Sequence, residues 1–155
     1  MNRELSLTVA TVDDAALLED LIKSAFAEYR PHFTKLPEPL ILDYTLLAAD
    51  GQTYLVWNHD DVVGCVTHVQ DGDRSILRNL SVAPEFRGQG LGKSIVKTVE
   101  QLALNAGSRT LVLWTRAEMT DNHRFYLGLG YTLTDHANPS PGINRVVFEK
   151  ILTGE

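Results

Sequence analysis

The densest run of chemistry-bearing residues is Leu80-Ser81-Val82-Ala83-Pro84-Glu85-Phe86-Arg87-Gly88-Gln89-Gly90-Leu91-Gly92-Lys93-Ser94. A β-type apolar run enters a glycine-rich turn, and the turn opens into a helix-type apolar repeat. Such a junction suits an anion. The N–H groups of a first helical turn lack intrahelical acceptors, the helix dipole adds positive character, and glycine lets a phosphate approach the main chain. Arg87 and Lys93 add full charges. Spacing separates the phosphate-binding patterns that compete for this turn. With Gly92-Lys93-Ser94 fixed, a P-loop demands glycine at position 87, where Arg87 stands. The dinucleotide fingerprint would need its last glycine at Lys93 or Ile95. Arg-x-x-Gly-x-Gly does fit, at Arg87, Gly90 and Gly92, preceded by Val82-x-Pro84. The plain alternative is that these glycines only shape a tight turn.

A second cluster is Asn122-His123-Arg124-Phe125-Tyr126-Leu127-Gly128-Leu129-Gly130-Tyr131, a Phe-Tyr pair before a Leu-Gly-aromatic stop. With the run VAPEFRGQGLG (82–92), it makes the chain resemble the GNAT superfamily of N-acetyltransferases from about Leu5 to Ile151. The resemblance implies acetyl-CoA as co-substrate and no metal. It puts Arg87, Gly88, Gln89, Gly90, Gly92, Lys93 and Ser94 at the pyrophosphate, and the backbones of Leu80 and Val82 at the pantetheine arm and acyl carbonyl. It makes Tyr126 the catalytic acid that protonates the leaving thiolate. A phenol suits that task because its ordinary pKa near 10 keeps it protonated at neutral pH. Met119 stands where the family often has an asparagine. Asn122, four residues before Tyr126, would share its helical face and is a candidate cofactor contact, with a capping or solvent role as the alternative.

The implied activity is transfer of an acetyl group to a primary amine by direct attack in a ternary complex. The acceptor would be an amine-bearing small molecule or peptide. Two other readings keep the same turn: a non-catalytic acyl-CoA-binding sensor module, and a nucleotide-binding protein. No general base is marked by any pattern. His68, Glu118, Asp121 and His32 are candidates, while Glu85 belongs near the phosphates, and His59 and His136 fall in polar turns. The acceptor side is expected from Phe26 to Pro39 and from Asp135 to Asn144, where Tyr29, His32 and Phe33 form either an aromatic wall or a lid on the core. A homodimer is admitted by the resemblance, since dimers are frequent among such proteins.

These residues must be positioned by one domain. The chain has 155 residues, 44% hydrophobic and 22% charged, and a net charge of −6 from 14 basic and 20 acidic residues. That length buries a sizeable core, and the acidic balance gives no general footprint for nucleic acid or an anionic membrane. An acidic surface would steer cationic amines toward the protein. No segment reads as a membrane span or signal peptide, which makes the cytoplasm the expected compartment. Cys65, the sole cysteine, sits in an apolar run as a core thiol.

Leu5, Leu7 and Val9 alternate as a strand, and Leu17 to Phe26 repeats as a helix running to about Tyr29, capped by Asp13 or Asp14. After Pro31, Pro37 and Pro39, a short helix is expected within Leu40 to Ala49. Tyr54 to Trp57, Val62 to Val69 and Ser75 to Val82 read as an antiparallel meander, joined at Asn58-His59-Asp60-Asp61 and Asp71-Gly72-Asp73. Leu91, Ile95, Val99, Leu102 and Ala106 mark a long amphipathic helix, stopped by Gly107. Thr110 to Thr115 is a buried strand, parallel to a neighbour. A last helix, capped by Thr120 or Asp121, runs through Leu129 to Gly130, and Tyr131 to Thr134 and Arg145 to Ile151 close the sheet. The fold class is therefore α/β: a mixed, mostly antiparallel sheet of six to seven strands flanked by helices. The resemblance adds a splayed central parallel pair, with its gap between Leu77–Val82 and Leu111–Thr115.

Overall fold

The computed structural model describes residues 5–27, 43–134 and 145–153. In chain order the elements are β1 (Ser6–Val9), α1 (Ala15–Phe26), α2 (Tyr44–Ala49), β2 (Thr53–Asn58), β3 (Asp61–Asp71), β4 (Arg74–Val82), α3 (Leu91–Asn105), β5 (Thr110–Arg116), α4 (Thr120–Gly128), β6 (Thr132–Thr134) and β7 (Arg145–Ile151). The strands form one sheet of seven in the order β1-β2-β3-β4-β5-β7-β6. Two-residue loops make the meander: Asn58 pairs Asp61 across His59 at φ 58°, and Asp71 pairs Arg74 across Gly72 at φ 65°. Among the described strands only β4 and β5 run parallel, because α3 carries the chain from one to the other. None of the described helices is long and apolar enough to cross a membrane.

Alternation along the strands sends side chains to two cores. On one face, Leu91, Ile95, Val96 and Val99 of α3 pack on Val66, Leu77, Leu111, Leu113 and Phe148, with Tyr126 and Tyr131 beside them. On the other, Leu18, Leu21 and Ile22 of α1 and Tyr44 and Ala48 of α2 pack on Leu55 and Cys65. Burying each large aliphatic side chain stabilises the fold by about 1.5–3 kcal/mol.

The helix ends depart from the sequence expectation in detail. Asp14 stands at the start of α1, but its carboxylate turns back to accept from the Thr11 N–H at 2.9 Å. Asp43 caps α2, accepting from the N–H groups of Thr45 and Leu46. Met119, not Thr120 or Asp121, takes the cap position of α4. Along α3 the buried face also takes in Val96 and Ala103, while Leu102 and the following Ala106 are only half-buried at its margin, because a 3.6-residue period widens the apolar stripe to neighbouring positions.

The parallel pairing is short. It joins Arg74 to Thr110, Ser75 to Leu111 and Ile76 to Val112, and then ends. Beyond Ile76, β4 leans on β3 alone and carries a bulge. Thr67 pairs Arg78 but Cys65 pairs Ser81, so two steps on β3 match three on β4, and Asn79 takes up the difference at φ 56°. The side chain of Asn79 donates to Thr67 Oγ1 at 3.1 Å, and that hydroxyl shares a 2.8 Å hydrogen bond with Thr53. Opposite the bulge, a Cβ on Gly64 would lie 2.2 Å from the Ser81 carbonyl oxygen, so only glycine lets β3 come this close.

Three outcomes follow. Gly64→Ala lowers stability by about 1–3 kcal/mol in urea unfolding, through the forced shift of β4. Gly128→Ala, on α4 with open space around it and ordinary backbone, raises stability by about 0.4–1 kcal/mol. Burial pushes the Cys65 thiol up to about 12. At pH 8 it is about one part in ten thousand thiolate, so a disulfide reagent labels it only after unfolding. Prompt labelling of the native protein would contradict its placement.

Candidate active site

A cleft of about 240 Å³ opens where β4 and β5 part. Leu77, Leu80 and Ser81 form its wall on β4, and Leu113 and Thr115 its wall on β5. Met119, Asn122 and Tyr126 border it from the α4 side, and Ala25, Phe26 and Leu47 from the α1 and α2 side. Over this length the facing edges of β4 and β5 are not hydrogen-bonded to one another. They offer the groups that an extended ligand arm would pair with, as an added strand would.

Tyr126 is buried in an aromatic packing that fixes its ring. Phe125 lies edge-on at 4.9 Å between centroids, Tyr131 edge-on at 5.7 Å, and Phe148 at 6.0 Å. Tyr131 is itself anchored: its hydroxyl donates to Glu100 at 2.7 Å, and Lys150 Nζ holds the same carboxylate at 3.1 Å. Among the described residues the Tyr126 hydroxyl has no hydrogen-bond partner, and burial pushes its pKa up. It is a fully protonated phenol with its donor uncommitted, at the edge of the cleft. Asn122 shares that border, its amide 3.9 Å from the Met119 sulfur.

The glycine turn follows the end of β4. Gly88 and Gly90 are left-handed, at φ 81° and 77°, with open space where each Cβ would stand. Gly90 precedes α3, whose first turn holds no acidic residue. Lys93 is exposed on that turn, and the Ser94 hydroxyl donates back to the Gly90 carbonyl. At Gly92 a Cβ would meet Phe125 at 3.3 Å, so this glycine lets α4 close on α3 beside Tyr126. Arg87 turns its guanidinium onto the Val82 carbonyl and the Ser24 hydroxyl, both at 3.2 Å, tying the turn to β4 and α1. Leu80, Asn122 and Tyr126 therefore meet in the cleft, while Val82 and residues 87–94 continue from its β4 wall.

The candidate bases do not converge there. His68 shares a 2.6 Å hydrogen bond with Ser75, which is bonded in turn to Ser108, and burial lowers its pKa. It lies on β3, bonded across to the end of β4 that pairs with β5. Glu118 pairs with Arg116 at 3.3 Å, and Asp121 pairs with Arg124. His59 and Glu85 are exposed in turns. Tyr29, His32, Phe33, His136 and the segment 135–144 lie outside the described residues. Among the described residues no three His, Cys, Asp or Glu side chains cluster as a metal site.

Sequence reasoning missed Asn79, Gly64 and Arg78. An asparagine and a glycine inside β-type runs were the available signals for a bulge and a close backbone approach. Arg78 gave none, because its neighbours come from other strands.

The acetyltransferase (GNAT) family profile matches residues 18–131. Over 94 residues, 57% of this chain and 42% of the relative, the sequence is 35% identical to N-acetyltransferase 8F1 of Rattus norvegicus. Over 55 residues, 36% of each chain, it is 38% identical to the aminoalkylphosphonate N-acetyltransferase of Salmonella typhimurium. The chain thus spans well under half the length of these curated relatives. PaiA N-acetyltransferase from Thermoplasma acidophilum, solved with coenzyme A, superposes with a TM-score of 0.71 at 14% identity, covering 96% of this chain and 99% of that one. This last likeness is one of fold. A profile match over most of the chain, on a seven-stranded sheet with one parallel pair, assigns the protein to the acetyltransferase (GNAT) family.

Proposed function

We propose that this chain transfers an acetyl group from acetyl-CoA to a primary amine held in the same cleft, with Tyr126 as the acid. The observation that carries the reading is the unpaired reach of β4 and β5 ending beside an uncommitted, protonated phenol. The left-handed glycines, with no side chain in the way, and the acid-free start of α3 fit a diphosphate. The thioester supplies the activated acetyl group.

The chain's own residues do the rest. The turn from Arg87 to Ser94 binds the diphosphate, through Gly88, Gln89, Gly90 and Gly92 as backbone and Lys93 as charge. Leu80 and Val82 align the arm along β4. Because the Val82 carbonyl already accepts from Arg87, the role of Arg87 is to hold the strand end against the turn as much as to add charge. Asn122 steadies the arm from α4. In the transfer one C–N bond forms as one C–S bond breaks; the amine gives up a proton to solvent, the sulfur receives one from Tyr126, and solvent returns a proton to the phenolate so that no net proton is gained or lost. The coenzyme A complex of the Thermoplasma N-acetyltransferase of the same fold is consistent with this, as is the Salmonella relative named for an aminoalkylphosphonate.

Tyr126→Phe is expected to lower kcat by about 10²–10⁴ while coenzyme A still binds by calorimetry. Full activity in this variant removes the acid and leaves the cofactor site standing; binding without turnover in the wild type favours a sensor instead. The pH profile offers an independent check. Burial raises the phenol above its ordinary pKa near 10, so the acid stays protonated and kcat should rise with pH without falling below about pH 10. A decline near neutral pH would assign the acid to another group.

A further inference from the structure

The wall of the cleft facing α1 and α2 carries a row of charge that the acetyl-transfer reading does not use. Trp114 lies on β5, two residues before Arg116 and so on the same side of the strand, and Arg116 pairs directly with Arg145 of β7. Arg78 reaches the same indole from β4, across the parting of the strands. Its guanidinium carbon lies 4.8 Å from the ring centroid, and that of Arg145 lies 5.8 Å away. All four residues line the cleft.

A guanidinium stacked on an aromatic face is held by the ring, and its N–H donors remain in its own plane, directed away from the ring. That is the geometry for gripping a planar or tetrahedral oxyanion through two parallel hydrogen bonds. Within the row, Arg78 stands apart. Arg116 is met by Glu118, whereas Arg78 is exposed and, among the described residues, pairs with no carboxylate. Asp50 is the one acid among the described lining residues, and its carboxylate already accepts from the Gln52 N–H at 2.7 Å. A chain of net charge −6 thus gathers arginines at this mouth. Dicationic acceptors would meet like charge here, contrary to what the overall charge suggests.

We propose that Arg78 and Arg145, braced on Trp114, bind an acidic group of the acceptor, so that the substrate is a small amine that also carries a carboxylate, phosphonate or sulfonate. This rests on the acetyl-transfer reading and narrows its substrate class. It also assigns a task to nearby positive charge, which lowers an amine's pKa and favours the free base that must attack.

The test compares β-alanine, 2-aminoethylphosphonate and taurine with the neutral amines propylamine and ethanolamine and the cation 1,3-diaminopropane, reading thiol release from acetyl-CoA. The acid-bearing amines should show kcat/KM at least about tenfold above the neutral ones, mainly through acceptor KM. Arg78→Gln should reduce that ratio about tenfold, and Arg78→Lys should restore part of it. Equal rates for neutral and acidic amines, or a preference for the diamine, overturn this inference while leaving acetyl transfer intact. No thiol release with any class, from protein that binds coenzyme A, overturns the acetyl-transfer reading and this inference with it.

Discussion

Two parallel strands share hydrogen bonds for three residue pairs and then stop, although both continue for several residues more. Leaving strand edges unpaired inside a sheet forfeits the ladder bonds that normally hold neighbours together, so something else must keep β4 in place. Here that is β3. The Asn79 bulge turns β4 away from β5, the Asn79 amide locks onto Thr67 and through it onto Thr53, and Gly64 admits the Ser81 carbonyl at a distance no side chain would tolerate. The cleft is a consequence of those contacts, and every residue of the candidate site is disposed around it.

The two faces of the sheet divide the work. On the α3 and α4 face, Gly92 lets Phe125 approach, and Tyr131, Glu100 and Lys150 anchor the ring that packs on Tyr126. That aromatic packing holds a phenol whose neutral form is favoured by burial. On the opposite face, Arg78, Trp114 and Arg145 gather from three strands around the same opening. A cofactor arm along β4 and an acceptor entering past the arginines would approach one another through the gap, which is what direct attack without a covalent enzyme intermediate requires.

Much of this was legible in the chain itself. The run from Val82 to Ser94 stood out by spacing, which excluded two rival phosphate patterns and placed a glycine turn at the start of α3, as the structure has it. The meander, the long helix and the succession of elements along the chain followed from periodicity and turn chemistry, whereas the order of strands across the sheet did not. Local pattern does not report what converges in space. His68 looked available in its strand, and only the fold shows Ser75 bonded to its ring. Glu118 and Asp121 looked like bases, and each has an arginine partner. Arg87 read as a phosphate ligand by position, whereas its guanidinium also bonds Val82 and Ser24, the latter 63 residues away along the chain. Arg78, Trp114 and Arg145 are unremarkable one at a time and acquire meaning only as a group.

The central claim is that the parted edges of β4 and β5 and the turn beyond them receive one extended, diphosphate-bearing ligand. Amide hydrogen exchange with and without coenzyme A tests it most directly. Slowed exchange confined to residues 77–82, 88–94 and the Asn122–Tyr126 side of the cleft is the predicted result. Saturable binding that leaves those amides exchanging at their unliganded rates, or protects a different surface, would contradict it.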